Sequence, residues 1–204
     1  MADSTSRAGG ERGILFVSGG REAVPAILEA RRMGLRVLVS DGAAGAPGLR
    51  LADVALIAST YDAGATVEAA RALATRHRID GVLAVGADVP VTVAAVADAL
   101  GLPGLSLESA HLAADKLAMK DALLATGVPV PWYAAVESVE ELEDVLGQVR
   151  EPLILKPVDS RGARGVIRLL PGVDPAWAYE VAAGESPTGR VMVETFIVGP
   201  QVST

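Results

Sequence analysis

Lys156 interrupts an apolar segment, residues 152–157 (PLILKP), and a stretch with two glycines, residues 159–165 (DSRGARG), follows it directly. An ammonium group buried without a partner costs several kcal/mol, so a strand that carries a lysine into such a loop directs it at an anion. Phosphate is the anion that this pattern favours, because glycines let backbone N–H groups approach its oxygens closely. A solvated lysine at the end of a strand is the alternative, since a proline after a strand is ordinary.

Three other charged residues could contribute to the same site. Lys116 and Lys120 are four residues apart in a predicted helix, so they share a face and either could reach an anion. A solvated helix face is the alternative for this pair. Glu194 interrupts a second apolar segment, residues 191–197 (VMVETFI), where a carboxylate needs a partner such as the exocyclic amine of adenine. An exposed glutamate on an edge strand is the alternative there.

A second candidate site follows the first predicted strand, at residues 18–23 (SGGREA). The segment lacks the Gly-x-Gly-x-x-Gly fingerprint, and its Glu22 would bring a carboxylate toward a pyrophosphate, so a nicotinamide cofactor is disfavoured. This holds although Asp41 occupies the place of a ribose-binding acid, about 20 residues further on. Arg21, Glu22 and Asp88 could instead hold a small zwitterionic or amine-bearing substrate. The alternative is that Glu22 and Asp88 cap helices.

The elements that must position these residues alternate between strand and helix in the first half of the chain. The four predicted strands are apolar runs at 14–17, 36–40, 54–57 and 81–85. The predicted helices cover 24–33, 66–77 and a segment that starts near Asp88, with an acid suited to capping. This βαβ rhythm predicts a doubly wound parallel sheet of the α/β class.

The second half of the chain has the pattern of an α+β domain. Its predicted helices run from Ser109 to about 124, from the capping box at Ser138 to 149, and from Asp174 to Gly184. Its predicted strands cover 132–136, 152–158, 165–170 and 190–196. The predicted domain limits are therefore a disordered tail at 1–12, one domain at 13–108 and a second at 109–204.

The composition excludes several classes of site. The chain has no cysteine, which excludes disulfides, thiolate zinc sites and cysteine nucleophiles and fits a cytoplasmic protein. It has two histidines, neither in a nucleophile motif, and no P-loop sequence. The net charge of -7 argues against nonspecific nucleic-acid binding, and no apolar run approaches the ~20 residues of a membrane span.

Four segments in this order resemble the ATP-grasp superfamily, and the resemblance covers residues 13–204. The likeness is to ligases similar to the large chain of carbamoyl-phosphate synthetase and to carboxylate–amine ligases of purine and amino-acid metabolism. The segments are 115–120 (DKLAMK), 127–131 (GVPVP), 155–165 (LKPVDSRGARG) and 193–200 (VETFIVGP). The resemblance implies a pre-ATP-grasp domain at 13–108, followed by the first ATP-grasp subdomain at 109–204.

The resemblance also implies roles for individual residues in ATP binding. Lys116 and Lys156 would contact the phosphates, and Glu194 would accept from the adenine amine. The remaining ATP-binding residues would be the loop residues Gly162, Ala163, Arg164 and Gly165, the base-edge contacts of Thr195 and Ile197, and Gln201 near the ribose. No catalytic nucleophile or general base is assigned.

The implied activity is an ATP-dependent ligation through an acyl phosphate, with ATP, Mg²⁺ and a small carboxylate and amine as partners and a homodimer compatible with it. Such enzymes hold Mg²⁺ in a later subdomain, so the expectation is a fragment that does not catalyse alone, with metal ligands outside the chain. Two alternatives stay open. One is a nucleotide-binding module without catalysis or a subunit completed by another chain, and the other is an NAD(P)-dependent Rossmann oxidoreductase.

Overall fold

The computed structural model describes residues 12–160 and 162–200 and divides into two compact units, Met1–Ala114 and Asp115–Thr204. The predicted disordered tail at 1–12 falls almost wholly outside the described residues. Across the described ranges, no helix has both the length and the apolar character that crossing a membrane requires.

The first unit is built on a four-stranded parallel sheet in the order β3-β2-β1-β4. The strands are β1 (Gly13–Val17), β2 (Arg36–Asp41), β3 (Val54–Ile57) and β4 (Gly81–Leu83). The central strand β1 is buried on both faces, with Leu15 and Phe16 no more than 1% exposed. Burial on both faces explains why this strand reads as a continuous apolar run rather than an alternating one.

Helices cover both faces of this sheet. They are α1 (Val24–Arg32), α2 (Ala63–Ala74) and α3 (Pro90–Ala99), followed by α4 (Leu107–Ala114) and accompanied by two 3-10 helices (Arg21–Ala23 and Pro47–Leu51). Phe16 packs with Ile27 of α1 on one face, while Leu15 packs with Ala70 of α2 and Val96 of α3 on the other. The predicted doubly wound arrangement is confirmed.

Several predicted boundaries in this unit need correction. The helix expected at 66–77 is α2, which starts and ends three residues earlier because the Asp62 carboxylate accepts from the Ala65 N–H and caps it. The strand expected at 81–85 ends at Leu83. The N-cap of α3 is Val89 rather than Asp88, so the predicted cap by an acid is wrong.

The second unit carries an antiparallel sheet in the order β5-β8-β6-β7. Its strands are β5 (Tyr133–Val136), β6 (Leu153–Pro157), β7 (Ile167–Leu169) and β8 (Val191–Thr195). Its helices are α5 (Lys116–Ala125), α6 (Val139–Gln148) and α7 (Pro175–Gly184). The predicted strands of this half are all present, with β7 reduced to three residues, and the helices predicted at 138–149 and 174–184 are α6 and α7.

One predicted helix, from Ser109 to about 124, is in fact two helices. Asp115 separates α4 from α5 because it adopts an extended conformation (φ −123°, ψ 109°). From that position its carboxylate accepts from the Ala118 N–H and caps α5. An N-cap residue has non-helical dihedral angles, so the same residue that begins α5 interrupts the predicted single helix.

The two faces of the antiparallel sheet differ in chemistry. Side chains alternate between faces along a strand, and Leu155 and Val193 point to the face covered by α6 and α7. There they pack with Leu142 and Ala178 in a buried apolar core. Their neighbours Lys156 and Glu194 belong to the other face, which therefore carries the charged residues.

We expect Leu155→Ala to lower the free energy of unfolding of the second unit by about 2–5 kcal/mol, because Leu155 is fully buried and its removal leaves a cavity. The matched change Leu170→Ala, at a residue 50% exposed, should stay within about 0.5 kcal/mol. Urea unfolding followed by tryptophan fluorescence measures this unit, because both tryptophans of the chain, Trp132 and Trp177, lie in it. Equal effects of the two changes would contradict the packing described.

Candidate functional site

A carboxylate lies between two ammonium groups on the charged face of the antiparallel sheet. Glu194 of β8 is 8% exposed, and its Oε1 contacts Nζ of Lys156 on the adjacent strand β6. Nζ of Lys120, from α5, lies 2.8 Å from Oε2, though off the direction of a well-formed hydrogen bond. β8 is an inner strand and Lys156 is ion-paired, so an edge-strand glutamate and a simply solvated lysine are both excluded.

The two lysines control the ionisation of Glu194. Burial on its own would raise the pKa of this carboxyl, since it disfavours the charged form. The neighbouring ammonium groups of Lys120 and Lys156 outweigh burial and hold the pKa of Glu194 below its usual range. The cluster of one carboxylate and two ammonium groups therefore carries a net charge of +1 at neutral pH, which suits an anionic ligand.

Lys120 is fixed from a second side by an aromatic ring. Its Nζ lies 5.2 Å from the ring centroid of Tyr133, a distance at which an ammonium group is attracted to the ring face. Tyr133 pairs with Glu194 in the register of β5 and β8, so ring and carboxylate lie side by side. The Tyr133 hydroxyl donates to the Asp121 carboxylate of α5, which connects the helix that carries Lys120 to the sheet.

The start of α5 is attached to the strand that leads into the glycine-containing loop. Nζ of Lys116 donates to the backbone carbonyls of Val158 and Ser160, at 3.2 and 2.9 Å. The Asp115 carboxylate accepts from Arg190, just before β8, at 2.6 Å. Burial raises the pKa of Asp115, but the Ala118 N–H and Arg190 outweigh it, so the pKa is lowered overall.

The loop between β6 and β7 contains an unusual concentration of left-handed residues. Gly162, Ala163 and Gly165 have φ values of +62°, +59° and +67°, in a stretch that is described from residue 162 onward. A Cβ at Gly165 would also fall 2.8 Å from Cγ of Pro157, so only glycine fits there. Successive backbone N–H groups in such a turn form a concave anion-binding surface.

Two charged residues at this loop have partners in the protein, whereas one buried hydroxyl has none among the described residues. The Asp159 carboxylate accepts from the hydroxyls of Ser186 and Thr188, both at 2.6 Å, which holds the loop entrance to the segment before β8. Arg164 lies 4.0 Å from the Glu185 carboxylate. Within the described part of the chain the buried Ser160 hydroxyl has no hydrogen-bond partner, so it is available to a ligand.

The predicted adenine contacts lie at the end of β8 and directly after it. The Thr195 N–H already donates to the Trp132 carbonyl at 2.9 Å, so this group is committed to the sheet. Ile197 is 68% exposed, and the Arg168 guanidinium lies 4.3 Å from the ring centroid of Phe196. The predicted ribose contact, Gln201, lies outside the described residues.

The predicted substrate residues lie at the carboxyl edge of the parallel sheet in the first unit. Glu22 packs directly on Gly86, where an added Cβ would fall 2.1 Å from the Glu22 Cβ. Asp88 contributes to a cavity of about 250 Å³, lined mainly by alanine, valine and proline. Arg21, Glu22 and Asp88 are all exposed, and neither acid occupies an N-cap position, so the helix-capping alternative is wrong.

Asp41 has a different role from the predicted alternative of a ribose-binding acid. Its carboxylate accepts from the backbone N–H groups of Gly19 and Ala43, both at 2.8 Å. The Ser18 hydroxyl also donates to Oδ2 of Asp41, over an O–O distance of 3.4 Å, and Ser18 has a left-handed φ of 85°. Both oxygens of the Asp41 carboxylate therefore accept hydrogen bonds within the protein and hold the turn after β1 in place.

Residues 27–104 match a family described as the ATP-grasp N-terminal domain. This part of the chain is therefore similar to an ATP-grasp N-terminal domain. The resemblance deduced from the four sequence segments, and with it the fold class, is confirmed.

Curated relatives extend the match beyond this domain. A formate-dependent phosphoribosylglycinamide formyltransferase from Paraburkholderia xenovorans is 31% identical over 199 residues, covering 90% of this chain and 46% of the relative. One from Erythrobacter litoralis is 28% identical over 188 residues, covering 90% and 47%. The chain spans about half the length of the curated relatives that it matches.

Solved structures show the same fold. An L-amino acid ligase from Bacillus licheniformis has a TM-score of 0.70 at 21% identity, covering 94% of this chain and 45% of the ligase. The ADP complex of an N5-carboxyaminoimidazole ribonucleotide synthetase also has a TM-score of 0.70 at 21% identity, covering 92% and 47%. At this level of identity the similarity concerns the fold alone.

Lys120 is the residue that sequence reasoning undervalued, because two lysines on a helix usually form a solvated face. A signal for it exists in the composition. Only three of the eighteen basic residues are lysines, and all three, Lys116, Lys120 and Lys156, belong to this site and its loop anchor. A chain that uses arginine everywhere else retains the compact ammonium group where a small point charge is needed.

We expect Glu194→Gln to destabilise the second unit at pH 7 by about 3 kcal/mol, because it leaves two ammonium groups without their counter-ion. The pKa of Glu194 is lowered by folding, so its contribution is present above the unfolded pKa of about 4.3 and is lost as the pH falls through the folded pKa. The difference between wild type and variant should therefore shrink below about pH 4.

Urea unfolding at a series of pH values measures this dependence. Glu180→Gln, at an exposed position of α7, is the matched control and should change stability little at any pH. A difference between wild type and Glu194→Gln that stays constant from pH 7 to pH 3 would contradict the ionisation described.

Proposed function

We propose that this chain supplies the ATP-binding part of an ATP-dependent ligase that joins a carboxylate to an amine. The observation that carries the proposal is that Lys156 of the Lys156–Glu194–Lys120 cluster lies on the strand that leads into the left-handed turn at 162–165, where Gly165 packs against Pro157, the residue after Lys156. A net positive cluster near a turn whose successive backbone N–H groups can surround an anion is suited to a polyphosphate. The match of residues 27–104 to an ATP-grasp N-terminal domain supports ATP as the source of that polyphosphate.

In this proposal the lysines and the loop have different tasks. Lys156 and Lys116 neutralise the charge of the ATP phosphates, and the turn formed by Gly162, Ala163, Arg164 and Gly165 covers them. Preorganised charges and N–H groups of this kind stabilise charge that develops during phosphoryl transfer. Because Lys116 also donates to the carbonyls of Val158 and Ser160, it links phosphate binding to the position of the loop.

The base would be recognised at the end of β8. Glu194 accepts from the exocyclic amine of adenine, which a carboxylate in an apolar strand is suited to do. Since the Thr195 N–H is committed to Trp132, the base edge would use the Thr195 carbonyl and the backbone of Ile197. Gln201 would contact the ribose.

The proposed reaction has two steps. A carboxylate oxygen of the substrate attacks the γ-phosphorus, the bond to the β-phosphate oxygen breaks, and an acyl phosphate and ADP form. An amine then attacks the acyl carbon, inorganic phosphate leaves with the bonding electrons, and the proton lost by the amine passes to the released phosphate. The contribution of this chain is positioning and charge stabilisation by Lys116, Lys156 and the loop, and no residue is assigned as nucleophile or general base.

Magnesium is the metal that ATP-grasp ligases generally use, and it neutralises charge on the transferred phosphoryl group. In residues 12–160 and 162–200 no three or more acidic or histidine side chains come together to hold a metal ion. No magnesium ligand is therefore assigned to the described part of this chain, and no step is derived through the metal.

The second substrate would bind at the carboxyl edge of the parallel sheet, the general ligand position of open α/β sheets. Arg21 is suited to a carboxylate or phosphate group, and Glu22 and Asp88 are suited to an amine. All three are exposed and accessible to a small molecule. The formyltransferase relatives are named for phosphoribosylglycinamide, which carries groups of both kinds and is a candidate for this position.

We expect ATP to raise the melting temperature of the full chain and NAD to leave it unchanged, because Asp41 is already bonded to Gly19 and Ala43. Lys156→Met should weaken ATP binding by at least about tenfold, since it removes a cation from the phosphates. Isothermal titration calorimetry measures the affinity of each protein.

Arg150→Met is the matched control, because it removes an exposed cation after α6, the helix packed on the opposite face of the sheet. Its ATP affinity should equal that of wild type. Stabilisation by NAD without stabilisation by ATP would overturn the proposal in favour of an oxidoreductase.

A further inference from the structure

We propose that Lys120 is a positioning residue, the permanent counter-ion of Glu194 that allows Lys156 to leave the carboxylate and bind a ligand phosphate. This inference rests on the proposed function, because it concerns how the same site takes up a nucleotide. It explains why the site contains the buried Lys120 in addition to Lys116 and Lys156, which the proposed function already assigns to the phosphates.

The surroundings of the two ammonium groups differ in the way this task requires. The side chain of Lys120 is 10% exposed and lies against the Tyr133 ring, so it is enclosed by protein on several sides. The side chain of Lys156 is 21% exposed and belongs to the strand that leads into the 162–165 turn. Lys156 is therefore the more accessible of the two cations, and Lys120 is the one held in place.

The charge balance explains why two cations are needed. A buried carboxylate that loses all its counter-ions is strongly unfavourable, because the remaining charge is neither solvated nor paired. With Lys120 present, departure of Lys156 leaves Glu194 still neutralised at 2.8 Å. Without Lys120, Lys156 is the remaining cation recorded on Glu194 in the described part of the chain, and it would be held there.

The two cations also occupy different oxygens of the carboxylate. Lys156 contacts Oε1, whereas Lys120 lies by Oε2. Departure of Lys156 therefore leaves the contact of Lys120 with Oε2 undisturbed. Each carboxylate oxygen has two lone pairs, so Oε1 can accept from the exocyclic amine of a base whether or not Lys156 stays.

Lys120→Met tests the inference, because methionine retains the apolar stem of lysine and removes the charge. We expect it to weaken ATP binding by the full chain about tenfold while adenosine binding changes less than about twofold, since only ATP needs the release of Lys156. Calorimetric titration with each ligand measures the two affinities. Arg150→Met again serves as the control for loss of one positive charge.

A second measurement depends on neither ATP nor adenosine. Because the chain has only three lysines, acylation of each by a dilute amine-reactive ester can be followed by mass spectrometry. Lys120→Met should slow acylation of Lys156 several-fold, since Glu194 then holds this ammonium group alone. Unchanged or faster labelling of Lys156 would overturn the inference whether or not the chain binds ATP.

Two further variants separate positioning from a merely structural effect. Lys120→Arg keeps the positive charge, so it should weaken ATP binding less than Lys120→Met does. Lys120→Met combined with Glu194→Gln removes the carboxylate that holds Lys156, so acylation of Lys156 should return toward the wild-type rate. Failure of this recovery in a protein with wild-type circular dichroism would overturn the inference.

The outcomes also distinguish the two proposals. If wild type binds no ATP but Lys120→Met slows acylation of Lys156, the proposed function fails and the counter-ion role stands for another anion. If wild type binds ATP and Lys120→Met binds it equally well, the proposed function stands and this inference fails.

Discussion

A carboxylate on an inner strand of a sheet must be neutralised, and in this protein that requirement organises the second unit. Glu194 is buried between β5 and β6, where water cannot solvate its charge. Its two counter-ions come from different elements, Lys156 from the neighbouring strand and Lys120 from α5. The electrostatic need of one side chain therefore helps to hold the helix against the sheet and places both ammonium groups beside one carboxylate.

The two faces of the antiparallel sheet differ in what they contribute. One face is apolar and packs on α6 and α7, which provides the hydrophobic burial that holds the unit together. The other face carries the ionic cluster, which costs desolvation and contributes little net stability for that cost. Ionisable groups with perturbed pKa values, as Glu194 has, concentrate at functional sites.

The sequence was sufficient to predict the fold class and each strand of the described residues, because buried strands are short apolar runs bounded by turn residues. Helix ends were predicted less well, since several residues could cap each helix and only packing selects among them; Asp62 and Asp115 are the examples. The partnership of Lys120 with Glu194 could not be deduced, because 74 positions separate them and only the tertiary fold brings them together. The prediction that Lys156 faces a phosphate rested on the residues next to it in the sequence, and for that reason its ion pair with Glu194 was not predicted.

The lengths of the strands have a consequence for how the protein behaves at high concentration. In both sheets the inner strands have five or six residues, whereas the outer strands β3, β4, β5 and β7 have three or four. An outer strand exposes unpaired backbone groups that can add a strand from another molecule, and a short one offers few of them. The tapering of both sheets thus limits edge-to-edge aggregation.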